Sequence, residues 1–152
     1  MRRQAALLLL LAIAAGCGGH ASKRLTKAQY ERLLQTEGRM TFRAAAHIDL
    51  RHRAAAAKII AREQKALAKA ADDLSHARPP ANVVHDNDLL ARGLGAAADE
   101  YVRLQHDLES GKQVNLVRVF VEVSQTKALV DARRAIDDMK RKGYSIGPFG
   151  GE

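Results

Sequence analysis

Chemistry needs side chains that converge, and the chain offers a few stretches of the right residue types. His85-Asp86-Asn87-Asp88 gathers imidazole and carboxylate within four residues, the donor set of a metal centre. A closed site needs three or four ligands, and no second cluster at metal spacing accompanies this one. Asp86 and Asp88 near a helix start also suit the positive end of the helix dipole with no ion present. His85, Asp86 and Asp88 are therefore the metal candidates, and the expectation is that no metal and no cofactor is held. Gly93-Leu94-Gly95-Ala96-Ala97-Ala98 has the form of a dinucleotide fingerprint. That loop must follow a strand and open a helix so that its amides meet the pyrophosphate. Here it lies inside the strongest helical pattern of the chain. Its small residues are expected to let another helix approach closely.

Catalysis finds little footing. The pairs Asp72-Asp73 and Asp137-Asp138 are sequence neighbours, so on helices their carboxylates diverge into solvent. There is no Gly-x-Ser-x-Gly elbow. His47 and His52 are five apart, where a shared helix face needs three or four. His20, His76 and His106 are isolated and expected in solvent. The chain is read as a non-enzyme with no catalytic residue.

A basic stripe is the most interpretable surface feature. Lys58, Arg62, Lys65 and Lys69 repeat at helical steps, on the side away from an apolar seam. The plain reading is a solvated helix face. The functional reading is a contact with anionic lipid or cell-wall polymer. Nucleic acid is disfavoured: there is no Trp, only 3 Tyr and 3 Phe to stack bases, and no recognition motif.

The remaining chemistry lies at the N-terminus. Arg2 and Arg3 precede a wholly apolar run of 11 residues, Ala5 to Ala15, and Gly16-Cys17-Gly18-Gly19 follows. A charged start, a short apolar region and small residues at its end make an export signal. The run falls short of the roughly 20 residues that a permanent span requires. Cys17 is the only Cys, and an unpaired thiol in an exported chain calls for an explanation. Ile13-Ala14-Ala15-Gly16-Cys17 resembles the lipobox of bacterial lipoproteins, with Ala14 where that family most often has Leu. The resemblance implies that Cys17 is acylated with a diacylglyceryl group and becomes the first mature residue. Two chains meet the requirement that durable anchoring take more than one signal. Gly18 to Arg24 then reads as a flexible tether of about 15 Å.

Losing Arg2 and Arg3 takes the basic count from 25 to 23 against 17 acids, a mature charge of +6. The roughly 130 residues that remain are one ordinary domain. Thr26 and Gln29 form a capping box, flanked by Leu25 and Tyr30, and open a helix running towards Leu50. Its stripe (Tyr30, Leu34, Thr41, Ala45, Ile48) is ragged, and Gly38 is expected to bend or break it. A second helix, Arg53 to Ala77, carries the seam Ala57, Ile60, Gln64, Leu67, Ala71, Leu74, and Pro79-Pro80 ends it. A third, Ala81 to Ser110, has an unbroken stripe of Leu90, Leu94, Ala97, Tyr101, Leu104 and Leu108, with Ser110-Gly111 as its stop. Residues 114–123 are rich enough in Val to suit a strand, but with no partner strand a helix is expected. Ser124 or Thr126 caps a renewed stretch through Lys142, with Leu129, Ala132, Ile136 and Met139 inward and Gly143-Tyr144 closing it.

These punctuation marks carry a second resemblance. Leu25-Thr26-Lys27-Ala28-Gln29-Tyr30, Arg78-Pro79-Pro80-Ala81 and Lys142-Gly143-Tyr144-Ser145-Ile146-Gly147 are similar to a group of small, Ala-rich bacterial lipoproteins and secreted helical proteins. That resemblance implies a helical fold and carries no activity. The expected organisation is a signal peptide over 1–16, a lipidated tether over 17–24, a helical bundle over 25–147 and a flexible tail over 148–152. The expected fold is all-α, an antiparallel bundle of about four helices. The expected function is a lipid-tethered, extracytoplasmic binding module at the cell envelope, with its protein partner undefined. The alternative is a small-molecule or metal carrier using the bundle interior.

Overall fold

The first helix starts where two side chains exchange hydrogen bonds with the backbone. The Thr26 N–H donates to Gln29 Oε1 at 2.9 Å, and the Gln29 N–H donates to Thr26 Oγ1 at 3.3 Å. This capping box satisfies amides that a helix start leaves without partners. Just before it, the Leu25 N–H donates to the Arg78 carbonyl at 2.7 Å, and the Arg24 guanidinium to the Pro79 carbonyl at 3.1 Å. The chain thus enters the bundle pinned to the segment that follows the second helix.

The computed structural model describes residues 23–45 and 53–150. It is all-helical, with α1 (Lys27–Ala45), α2 (Arg53–His76), α3 (Val84–Glu109), α4 (Leu116–Ser124) and α5 (Lys127–Arg141). Short 3₁₀ turns cover Ala81–Val83 and Gly147–Gly150. Residues 1–22, which hold the expected signal peptide and most of the expected tether, and the residues between α1 and α2 lie outside the described residues. Arg24, the end of that tether, is bonded to Pro79. Among those described, no helix is long and apolar enough to cross a membrane.

Among the described residues, five helices stand where about four were expected. The segment over 114–123 is helical, and Asn115 opens α4 by accepting the Arg118 N–H on Oδ1 at 3.1 Å. α4 and α5 separate at Thr126, whose ψ of 145° leaves the helical range. Its hydroxyl donates back to the Val123 carbonyl at 2.9 Å instead of capping α5. The far end of α5 closes as expected. Gly143 takes φ +77°, which a side chain disfavours, and its N–H donates to Lys140 while the Tyr144 N–H donates to Met139. That is a Schellman closure.

α3 is the centre of the molecule and packs against both α2 and α5. Its predicted stripe is buried throughout, from Leu90 at 1% exposure to Tyr101 at 8%. Ile60, Leu67 and Leu74 of α2, Tyr30 and Leu34 of α1, and Ala132 and Met139 of α5 complete the core. With so few aromatics the core depends on close helix contact. Two ring pairs support it: Tyr30 meets Tyr144 edge-on at 6.0 Å, and Tyr101 meets Phe120 at 5.9 Å.

Two expectations need correction. Gly38 does not break α1, which runs through it to Ala45. It is small because a Cβ there would stand 3.2 Å from the Phe149 N and 3.3 Å from Pro148 Cδ. For the same reason residues 148–150 are not a free tail: the closing turn lies on α1, with Phe149 packed against the core. The Ser145 N–H donates to Glu31 Oε1 at 3.0 Å, and Gln35 Nε2 to Ser145 Oγ at 3.1 Å, which hold that segment down.

Candidate functional site

α2 turns its apolar seam towards α1 and α3, so the opposite side must face water. Lys58, Arg62, Lys65 and Lys69 are all exposed there, as their spacing requires. They are not equivalent. Lys69 pairs with Asp73 one turn on, and lies 3.9 Å from Glu37 Oε1 of α1. The hydrogen bond with Asp73 raises the Lys69 pKa and lowers that of Asp73. Lys58, Arg62 and Lys65 have no ion-pair partner among the described residues. α1 adds cations that the sequence reading passed over. Arg32, Arg39 and Arg43 are exposed and equally without a described partner. Their spacing of seven and four was the available signal.

The metal candidates do not converge. Asp86 is 2% exposed and accepts from Lys142 Nζ at 2.6 Å, an ion pair joining the start of α3 to the end of α5. Asn87 turns fully inward, accepting from Tyr30 Oη at 3.0 Å and donating to the Leu74 carbonyl at 2.9 Å. His85 and Asp88 face solvent. The four residues spread over different sides of the first turn, and only Asp86 and Asn87 serve helix packing. Among the described residues no three metal-ligating side chains gather. His76 sits beside Asp72 and His106 beside Asp107, each exposed. His20, His47, His52 and Cys17 lie outside the described residues.

Besides Asp86 and Asn87, the structure buries two carboxyls that the sequence did not single out. Glu63 is 8% exposed; its Oε1 accepts from Tyr101 Oη at 3.3 Å, and its Oε2 has no described partner. Glu37 is 3% exposed, also with an unpartnered Oε2. Burial raises the pKa of both carboxyls, because a low-dielectric surrounding penalises the charged form. The Lys69 charge opposes that rise at Glu37. Burial likewise raises the phenol pKa of Tyr30 and Tyr101.

The carboxylate pairs sit on solvated faces, with Asp73 held by Lys69 and Asp138 by Arg141. A groove of about 320 Å³ runs between α3 and α4, and its charged groups are already paired: Arg103 with Glu100 at 2.6 Å, Asp107 with Lys112 at 2.5 Å and Glu122 with Arg118 at 2.7 Å. Gly93 and Gly95 do not cradle a phosphate. Gly93 lies against Ala128 and Ala132 of α5, and Gly95 against Ala71 of α2. No family model, curated protein or solved structure matches this chain.

Proposed function

We propose that the protein is a lipid-tethered, extracytoplasmic helical module that binds at the envelope surface without catalysing a reaction. The observation that carries this reading is the placement of Cys17. It is the sole Cys, it closes an 11-residue apolar run, and a short Gly-containing stretch separates it from the capping box at Thr26. Acylation would fix the module within about 15 Å of the bilayer. The exposed cations Lys58, Arg62 and Lys65 support a contact with an anionic surface, whereas Lys69 is partly neutralised by Asp73. A carrier of small molecules or metals has less behind it. The α3–α4 groove is lined by charges already paired, and the His85-Asp86-Asn87-Asp88 side chains are spent on helix contacts or turned to solvent.

Metabolic labelling with a fatty acid in intact bacteria tests the anchor. The parent chain should take up label and Cys17→Ser should take up none. Equal labelling of the two would remove the basis for a lipid tether.

A further inference from the structure

We infer that α1 and α2 together form one membrane-docking face, which seats Arg32, Arg39, Arg43, Lys58, Arg62 and Lys65 on anionic phospholipid headgroups. The inference deepens the surface reading above, enlarging it from one helix to two.

The distribution of charge pairs is what points there. On α3, α4 and α5 several exposed cations are matched by neighbouring acids, Arg103 by Glu100, Arg118 by Glu122, Lys127 by Asp131 and Arg141 by Asp138, while Arg92 and Arg133 have no ion pair among the described residues. Taken together these three helices carry more acids than basic residues, whereas α1 and α2 carry nine basic residues against five acids. On α1 and α2 the acids are withdrawn instead. Glu37 and Glu63 are buried, Glu31 and Asp73 are half-buried and paired with Lys27 and Lys69, and the exposed Asp72 lies at the far end of α2 beside His76. Arg32, Arg39, Arg43, Lys58, Arg62 and Lys65 have no ion-pair partner among the described residues, so their field is not cancelled at short range.

The two helices are neighbours, since Lys69 of α2 reaches Glu37 of α1. Helices of 19 and 24 residues span about 28 and 36 Å at 1.5 Å per residue, a broad field of separated charges. Such a surface suits a plane of headgroups better than a single polymer strand, which would call for a groove or stacking rings. One apolar group stands at its edge. Phe42 is 66% exposed, between Arg39 and Arg43 in sequence, and can enter the boundary between headgroups and acyl chains.

The chain has no Trp, so a single indole reports its own surroundings. The full chain carrying Phe42→Trp is reconstituted into vesicles of brominated phosphatidylcholine, with or without phosphatidylglycerol. A second protein carries Val117→Trp on the neutral α4 surface, where Val117 is also 66% exposed. Bromine should quench the indole at position 42 only when phosphatidylglycerol is present, and added salt should relieve it. Each cation near an anionic leaflet is worth about fivefold. Adding Arg32→Gln, Arg39→Gln and Arg43→Gln should therefore shift the docking equilibrium on the order of a hundredfold, with helix content unchanged. The proposal is overturned if quenching is equal on neutral vesicles, if position 117 is quenched as strongly, or if the triple variant docks like its parent. It is also overturned if polyphosphate changes the emission at position 42 while phosphatidylglycerol does not, since the face would then read a polymer. Acylation is read by labelling and docking by quenching, so failure of one is distinguishable from failure of the other.

Discussion

Gly93 and Ala132 face each other where α3 crosses α5, so closely that a Cβ on Gly93 would overlap the Ala132 methyl and stand 3.0 Å from the Ala128 carbonyl oxygen. The contact sets the separation of the two helices. It also explains a glycine inside a long helix, where Gly costs about 1 kcal/mol relative to Ala.

Gly93→Ala should therefore destabilise despite its better helix propensity. Overpacking against backbone and a short side chain costs about 1–3 kcal/mol, which outweighs the gain. Gly95→Ala is the internal control, because its nearest neighbour is Ala71 Cβ at 3.8 Å, an ordinary contact. That variant should gain about 0.5–1 kcal/mol. Urea unfolding of both variants reads the difference, and equal shifts would mean that α5 does not press on Gly93.

Asn87 joins three helices at one point: its own α3, α1 through Tyr30, and the end of α2 through the Leu74 carbonyl. It is 1% exposed, so water cannot replace either bond. Asn87→Ala should cost about 1–3 kcal/mol, the penalty for stranding buried polar groups. Tyr30→Phe should cost about 0.5–1.5 kcal/mol. The double variant should cost less than the sum, as groups that share a bond do. A strictly additive double variant would show that the two side chains are not bonded.

Glu63 should make stability depend on pH in a direction opposite to a salt-bridged acid. Its folded-state pKa is raised by burial above the ordinary value of 4.5. The unfolded chain therefore releases this proton first as pH rises through 4.5, while the folded chain still holds it. Over that interval the folded state binds more protons, so stability falls with rising pH until the folded group ionises. Above that point the full penalty remains. Glu63→Gln, which keeps an oxygen for Tyr101, should unfold at higher temperature than the parent at pH 8 and lose that advantage near pH 4. A constant difference across the range would mean that Glu63 does not titrate in the interior.

Much of this fold was legible because its signals are local. A helix bonds each amide to a carbonyl four residues back, so a capping box at Thr26 and Gln29, a stop at Pro79-Pro80 and a left-handed Gly143 act wherever the chain happens to pack. The stripe from Leu90 to Leu108 was legible for a related reason: six apolar residues at helical spacing leave one side to bury. The outward placement of Lys58, Arg62, Lys65 and Lys69 follows as its complement.

Which polar groups go inside was not legible, and only the tertiary structure decided it. Between Ile60 and Leu67, Glu63 and Gln64 both fit a seam that advances by three or four. The positions of α1 and α3 rotate Glu63 inward and leave Gln64 at the margin. His85-Asp86-Asn87-Asp88 reads as one cluster in the sequence, yet Lys142 and Tyr30, each more than fifty residues away, divide it. Gly38 signals a break only until Phe149 is seen lying over it. The sequence by itself determined the helices, their apolar sides and their outward charge, because those depend on bonds and periods a few residues long. The tertiary structure decided the polar interior and the closing turn on α1, because each depends on a partner far away along the chain.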